Sequence, residues 1–155
     1  MLNRDYAEML QCLMKHGVEY LVVGAYALAG HGLPRSTGDI DIWVRPDPTN
    51  AAKVYCALAD FGAPLDQVSV ETFKYPGVVF QIGVAPCRID LLTKISGDID
   101  FEEAWKNRLD CDLGGITLQV LGIEALVKNK LAAARPKDLE DVRLLRRRAA
   151  RRPDQ

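Results

Sequence analysis

The sequence predicts an α/β (α+β) fold, a β-sheet flanked by helices with a helical C-terminal end. Three observations carry this expectation. Short β-branched and apolar runs such as "VEYLVVG" and "IDIWV" alternate with stretches whose apolar residues recur every three or four positions. Gly or Pro punctuates the junctions between them. From residue 122 onward the pattern is helical only. At 155 residues one domain is expected, spanning 1–155, with a core over about 17–120 and C-terminal helices over about 122–150.

Each element has a local reason. Leu2 to His16 sets Tyr6, Met9, Leu10, Leu13 and Met14 on one helical face, and Gly17 ends that helix. "VEYLVVG" reads as a buried strand stopping at Gly24, "AYALAGHG" as a brief helix and "LPRSTG" as a loop. Asp39 to Val44 alternates acidic and apolar residues before Trp43, the period of a strand. Pro46 and Pro48 stop it, and "TNAAKVYCALADFG" makes a helix closed by Gly62. A helical turn is expected over Val68 to Phe73, then a hairpin of "GVVFQIG" and "CRIDLLTKI". "GDIDFEEAWKNR" is a helix with acids in its first turn, where the macrodipole favours them. "LDCDLGGITLQVL" is a Gly-Gly hairpin. "GIEALVKNKLAAAR" and "PKDLEDVRLLRRRAA" are two helices divided at Pro136, a residue suited to the first helical position.

Composition narrows the functional classes. Apolar residues at 48% and charged residues at 26% exclude a disordered, collagenous or low-complexity chain. No apolar run approaches the roughly 18 residues of a membrane span, and the N-terminus lacks the layout of a signal peptide, so a cytoplasmic protein with no membrane partner is expected. Cys12, Cys56, Cys87 and Cys111 form no metal-ligand or disulfide pattern and are expected to be reduced, mostly buried thiols. The net charge of −1 conceals an asymmetry: residues 135–155 hold eight Lys/Arg against four acids, leaving the remainder acidic. The basic end could face a polyanion, although a solvated helix face is the ordinary use of such a run.

The informative feature is a set of carboxylates. Residues i and i+2 of a strand share a face, so Asp39 and Asp41 point one way while Ile40 and Ile42 bury on the other. Two like charges that close repel unless a cation lies between them, and a hard divalent ion, Mg2+ or Mn2+, suits oxygen ligands. Asp90 interrupts an apolar strand, which is costly unless the group is paired or bound to metal. If its strand neighbours Asp39 to Val44, the three acids converge. Gly24, between a strand and a helix, leaves backbone N–H groups that could approach phosphates, though packing alone also explains a Gly there. A second "GDID", at Gly97 to Asp100, continues as a helix, so Asp98 or Asp100 is expected to cap it. His16 and His31 are expected to be structural or solvent-facing, and Trp43 and Trp105 to belong to the core.

Val23-Gly24-Ala25, the spacer to Asp39-Ile40-Asp41, and Asp90 resemble the signature of the nucleotidyltransferase superfamily of DNA polymerase beta. The strings "VVGAYALAGHGLPRSTGDIDIWV", "RIDLLTKISG" and "KNKLAAARPKDLEDVRLL" are similar to small bacterial nucleotidyltransferase-like proteins related to abortive-infection toxins, over about residues 17–145. The resemblance implies a nucleotidyltransferase-like mixed sheet and transfer of NMP from an NTP to an acceptor hydroxyl. That acceptor would be an RNA or tRNA end, a partner protein or a small molecule, with a possible place in a toxin–antitoxin system. It implies that Asp39, Asp41 and Asp90 are catalytic and bind Mg2+ or Mn2+, and that Gly24, Ala25, Arg35 and Lys130 contact the nucleotide. Lys137 and Asp138 match the C-terminal part of the pattern, and a plain helix-start role serves them equally well. Ala25 departs from the Gly or Ser usual at its position. It leaves open a second reading, a non-catalytic nucleotide-binding or partner-binding module with the same fold.

Overall fold

The computed structural model describes residues 2–34 and 38–151. The elements run α1 (Arg4–Lys15), β1 (Tyr20–Val23), α2 (Ala25–Gly30), β2 (Ile40–Val44) and α3 (Pro48–Phe61). After a 3-10 turn at Thr72–Lys74 come β3 (Val79–Ile82), β4 (Ile89–Leu92), α4 (Phe101–Lys106), β5 (Leu109–Leu113), β6 (Ile116–Val120), α5 (Ile123–Ala133) and α6 (Pro136–Arg151). Among the described residues the sheet has six strands in the order β3-β4-β2-β1-β6-β5. It is mixed: β1 runs antiparallel to β2 and parallel to β6, while β2 and β4 are parallel.

Burial follows position in the sheet. All of β1 is buried, and β2 and β4 are nearly so, as expected of central strands covered on both faces. The edge strands β3 and β5 alternate between exposed and half-buried residues. The core gathers Tyr6, Met9, Leu10 and Leu13 of α1 with Val54, Ala57 and Leu58 of α3 and the strand residues Leu21, Ile42 and Leu91. Trp43 joins it, edge-on to Phe101 with ring centroids 4.8 Å apart. Trp105 is half-buried, stacked on Phe101 and covered by the Arg108 guanidinium.

The turn chemistry behaves as anticipated at the positions that matter. Gly114 and Gly115 both take positive φ at the β5–β6 turn. Asp100 caps α4, accepting from Glu103 N–H at 3.1 Å, whereas Asp98 is in a left-handed turn and caps nothing. Buried His31 bonds the Leu121 carbonyl at 2.8 Å, and His16 pairs with Asp60 at 3.0 Å. The thiols depart from expectation. Cys56 and Cys87 are exposed and Cys12 and Cys111 half-buried, because Cys56 is off the inward stripe of α3 and Cys87 is in the β3–β4 loop. No helix is long and apolar enough to cross a membrane among the described residues.

One buried side chain clips the end of the sheet remote from Asp41. Asn50, on α3, accepts from Glu19 N–H at 2.8 Å and donates to the carbonyls of Glu19 at 3.1 Å and Arg45 at 3.0 Å. Glu19 precedes β1 and Arg45 follows β2, so one amide satisfies three backbone groups. Asn50→Ala should therefore lower the unfolding free energy by about 2–4 kcal/mol. The measurement is a reduced urea midpoint at unchanged m-value.

Candidate active site

Sheet register brings the acids together. Asp41 and Asp90 are Cα partners across the parallel β2–β4 pair, and Asp39 precedes Asp41 by two residues. The structure thus converges Asp39, Asp41 and Asp90 at one place. Asp90 is 6% exposed, and Asp41 is the half-buried member of an otherwise buried strand.

The glycine before α2 is required by two separate features. Gly24 has φ +71°, and a Cβ there would fall 2.7 Å from Asp41 Oδ2. Any side chain would be strained and would push the carboxylate aside. Gly38, just before Asp39, is held equally closely, since a Cβ on it would collide with the Pro86 carbonyl. The Tyr6 hydroxyl donates to the Gly38 carbonyl, anchoring this loop on α1. Burial, then the neighbouring Tyr26, Cys87, Asp39 and Asp90, push the Tyr6 hydroxyl up to about 12.

A cleft of about 480 Å³ opens beside the acids. It is lined by Gly24, Ala25, Asp39 and Asp41 together with Lys130, Arg135, Lys137 and Asp141. A larger depression, about 560 Å³, opens at Asp100, Glu103, Glu124 and Lys128, but holds none of the converging acids. Lys130 sits on the cleft wall, yet its ammonium is buried and engaged by Asp141 Oδ2 at 3.0 Å and Asp138 Oδ1 at 3.4 Å. Its charge is therefore largely spent inside the protein. Asp141 pairs backward with Lys130, and Glu140 pairs forward with Arg143. Asp138 accepts from the Arg135 backbone N–H at 3.2 Å, the return half of a capping box, and from Arg135 Nε at 2.6 Å. Arg35 lies outside the described residues.

The electrostatics of the acids are unbalanced. The Asp41 carboxyl is pushed up to about 6, first by burial, then by the Asp90 charge, a hydrogen bond shared with Asp90 and the Asp39 charge; Arg88 opposes the rise. Arg88 binds Asp90 through Nε at 2.8 Å and reaches Asp39 Oδ2 with Nη2 at 3.2 Å. The donor chemistry fits a hard divalent ion: three carboxylates, closely approached, against a glycine that leaves room for nothing but an oxygen. With Arg88 in contact, however, no three Asp, Glu, His or Cys side chains among the described residues form a ready ligand set. Arg88, Arg135 and Tyr6 were not singled out in the sequence as site residues. Arg88 stands two positions before Asp90, the same-face spacing that groups Asp39 with Asp41, so this one could have been found.

Solved structures share this architecture. A candidate nucleotidyltransferase (TM1012) from Thermotoga maritima superposes with a TM-score of 0.57 at 19% identity, covering 98% of this chain and 97% of that one. The lincosamide antibiotic adenylyltransferase LnuA, bound to lincomycin, gives 0.60 at 14% identity over 94% and 97% of the two chains. ANT(2")-Ia in complex with adenylyl-2"-tobramycin gives 0.59 at 15% identity over 94% and 93%. At these identities the likeness is one of fold, and the fold is that of the nucleotidyltransferases. The chain belongs to the family described as nucleotidyl transferase of unknown function (DUF2204), whose model matches residues 2–153. No curated protein is significantly similar to it.

The raised Asp41 sets a pH dependence. Its folded value, about 6, exceeds the 3.8 ordinary for an aspartate, so the folded chain holds the proton more tightly. Stability is then full below about pH 4, falls as pH rises through 4 to 6, and stays lower above. Asp41→Asn removes this ionisation. Without divalent cations, the variant should be more stable than wild type at pH 8 by about 2–3 kcal/mol, and the advantage should vanish at pH 4. Urea denaturation at pH 4, 5 and 8 checks it; a wild type that gains on the variant with rising pH would refute it.

Proposed function

We propose that this chain transfers a nucleoside monophosphate from an NTP to an acceptor hydroxyl, with Mg2+ or Mn2+ as cofactor. The observation that carries the reading is the in-register pair Asp41 and Asp90, joined by Asp39, beside a cleft that basic residues also line. Bound to these acids, a divalent ion would supply positive charge to phosphate oxygens and polarise the acceptor oxygen. Lys137 and Arg135 face the same cleft and suit the remaining phosphate charge. Gly24 lets the backbone at the start of α2 come close to a phosphate, and Ala25 keeps its N–H although it offers no hydroxyl. Asp90 would accept the proton of the acceptor hydroxyl as its oxygen bonds the α-phosphorus. The bond to the β-phosphate breaks, and pyrophosphate leaves.

α6 supports a nucleic-acid acceptor, an RNA or tRNA end. Its Arg146, Arg147 and Arg151 are exposed, and Lys137 on the same helix lines the cleft. One structural neighbour is a lincosamide antibiotic adenylyltransferase and another is in complex with adenylyl-2"-tobramycin, which makes a small-molecule hydroxyl the alternative acceptor. A toxin of a toxin–antitoxin pair is the cellular role in keeping with an RNA acceptor. The second reading, a non-catalytic nucleotide-binding module, is favoured by Ala25 and by the engagement of Asp39 and Asp90 with Arg88.

Incubation with α-labelled NTPs, Mg2+ and total RNA should give labelled RNA, with transfer reduced at least 100-fold in Asp39→Ala and Asp90→Asn, and lost in EDTA. Metal-dependent NTP binding without transfer to RNA, protein or small molecules would select the non-catalytic module. For the acceptor, charge reversal in Arg146→Glu/Arg147→Glu should raise KM for RNA about tenfold and leave NTP binding unchanged, with the defect shrinking at higher salt. Equal transfer to RNA by the double variant and wild type at low salt would remove α6 from the acceptor surface.

A further inference from the structure

Arg88 has no task in the reaction as written, yet its guanidinium contacts two of the three converging acids. It stands two residues before Asp90, so the two side chains leave the extended run on one face. Its guanidinium forks onto Asp90, with Nε 2.8 Å from Oδ1 and Nη2 3.1 Å from Oδ2. The same Nη2 lies 3.2 Å from Asp39 Oδ2, and the Arg88 backbone N–H donates to Asp39 Oδ1 at 3.0 Å. All four oxygens of Asp39 and Asp90 are therefore taken by one residue. A planar fork bridging two carboxylates is a task for arginine, which lysine, a point charge, cannot reproduce.

We infer that Arg88 is a resident counter-cation that keeps Asp39 and Asp90 gathered in the metal-free protein, and that a divalent ion binds only by displacing its guanidinium. The inference rests on reading the three acids as cation ligands. A guanidinium forked onto both oxygens of Asp90 and reaching Asp39 competes with a small hard cation for the same lone pairs and adds a like charge beside it. The exchange is feasible in space, because the Arg88 side chain is 29% exposed and can swing toward solvent, whereas Asp90 is buried and fixed in the sheet. Arg88 thus acts as a positioning residue. It offsets carboxylate repulsion when no ion is present, and it makes bare-ion binding weaker than the donor set alone would give.

The test is Mn2+ binding without nucleotide, followed by the free-ion electron paramagnetic resonance signal, for wild type, Arg88→Met and Arg88→Lys. Displacement predicts that Arg88→Met binds Mn2+ at least tenfold tighter than wild type. Arg88→Lys, which keeps the charge and loses the fork, should fall between them. Unchanged or weaker binding in Arg88→Met overturns the inference, and so does Arg88→Lys matching wild type, since only a distant field effect would then remain. If Arg88→Met fails to fold, the Arg88→Lys melting temperature gives the same reading: a steeper rise with Mn2+ than wild type supports displacement, and a parallel rise overturns it. NTP transfer by wild type with no Arg88 effect on Mn2+ affinity would sink this inference alone. Absence of both transfer and Mn2+ binding in all three proteins would sink it together with the reading of the acids as cation ligands.

Discussion

Mutual repulsion among three carboxylates held at the ends of central strands is the constraint that organises this molecule. Backbone pairing holds them there. Asp41 and Asp90 are fixed opposite each other by the β2–β4 ladder, with Ile40, Ile42, Ile89 and Leu91 buried on either side. A one-residue slip would turn those apolar groups outward, so the hydrophobic register dictates the electrostatic encounter. The Asp41 carboxyl, pushed up to about 6, records what the fold tolerates to keep it. A free-standing acid at either position would choose solvent.

The surrounding elements serve this encounter by subtraction as much as by contact. Gly24 and Gly38 contribute the absence of a Cβ, one against Asp41 and the other against the Pro86 carbonyl. Tyr6 reaches from α1 to hold the Gly38 carbonyl, which ties that helix to the loop entering β2. Also lining the cleft, the α5–α6 corner is an ion cluster. Ala134 turns the chain with φ +53°, and Asp138 binds Arg135 and Lys130 at once. Burial pushes the Asp138 carboxyl up, but hydrogen bonds from Arg135 and the Lys130 charge outweigh it and hold it below the ordinary range. Removing Lys130 or Asp138 from this set would leave a buried charge uncompensated, so the corner should tolerate substitution there poorly. The cleft is consequently lined by charges that are mostly compensated within the fold.

The elements were largely legible in the sequence because each carries its own signal. The 3.6-residue face of α1, the Gly-Gly pair of the β5–β6 turn and Pro136 at the start of α6 are local facts. The site was legible as far as strand parity extends. Asp39 and Asp41 share a face by spacing, and Asp90 stood out as a charge in an apolar run; that their strands are neighbours is a long-range fact which the family resemblance supplied. Lys130 shows the limit. Its place on the cleft wall follows from the pattern, but its neutralisation by Asp138 and Asp141 depends on how α5 and α6 cross, which spacing within one helix does not encode. The exposed Cys56 marks another: counting cysteines says nothing about which side of α3 one falls on, although the helical phase of Ala51, Val54 and Leu58 does.

The distribution of cations then bears on how the site is divided between binding and catalysis. Arg88 contacts the acids themselves; Arg135 is tied at one end to Asp138 but reaches the cleft; Lys137 lines the cleft, and Arg146 and Arg147 are exposed farther along the same helix. Charge near the acids is thus compensated within the fold, and charge farther out is left to solvent. A polyanion entering from the α6 side would meet uncommitted cations first and compensated ones last. Long-range attraction would guide its approach, while its chemistry would depend on exchanging partners at the centre. Under the proposed transfer, such an order would put affinity for a polyanionic acceptor on the helix and reactivity on the strands, so substitutions on α6 and on β4 should act on different stages of that reaction.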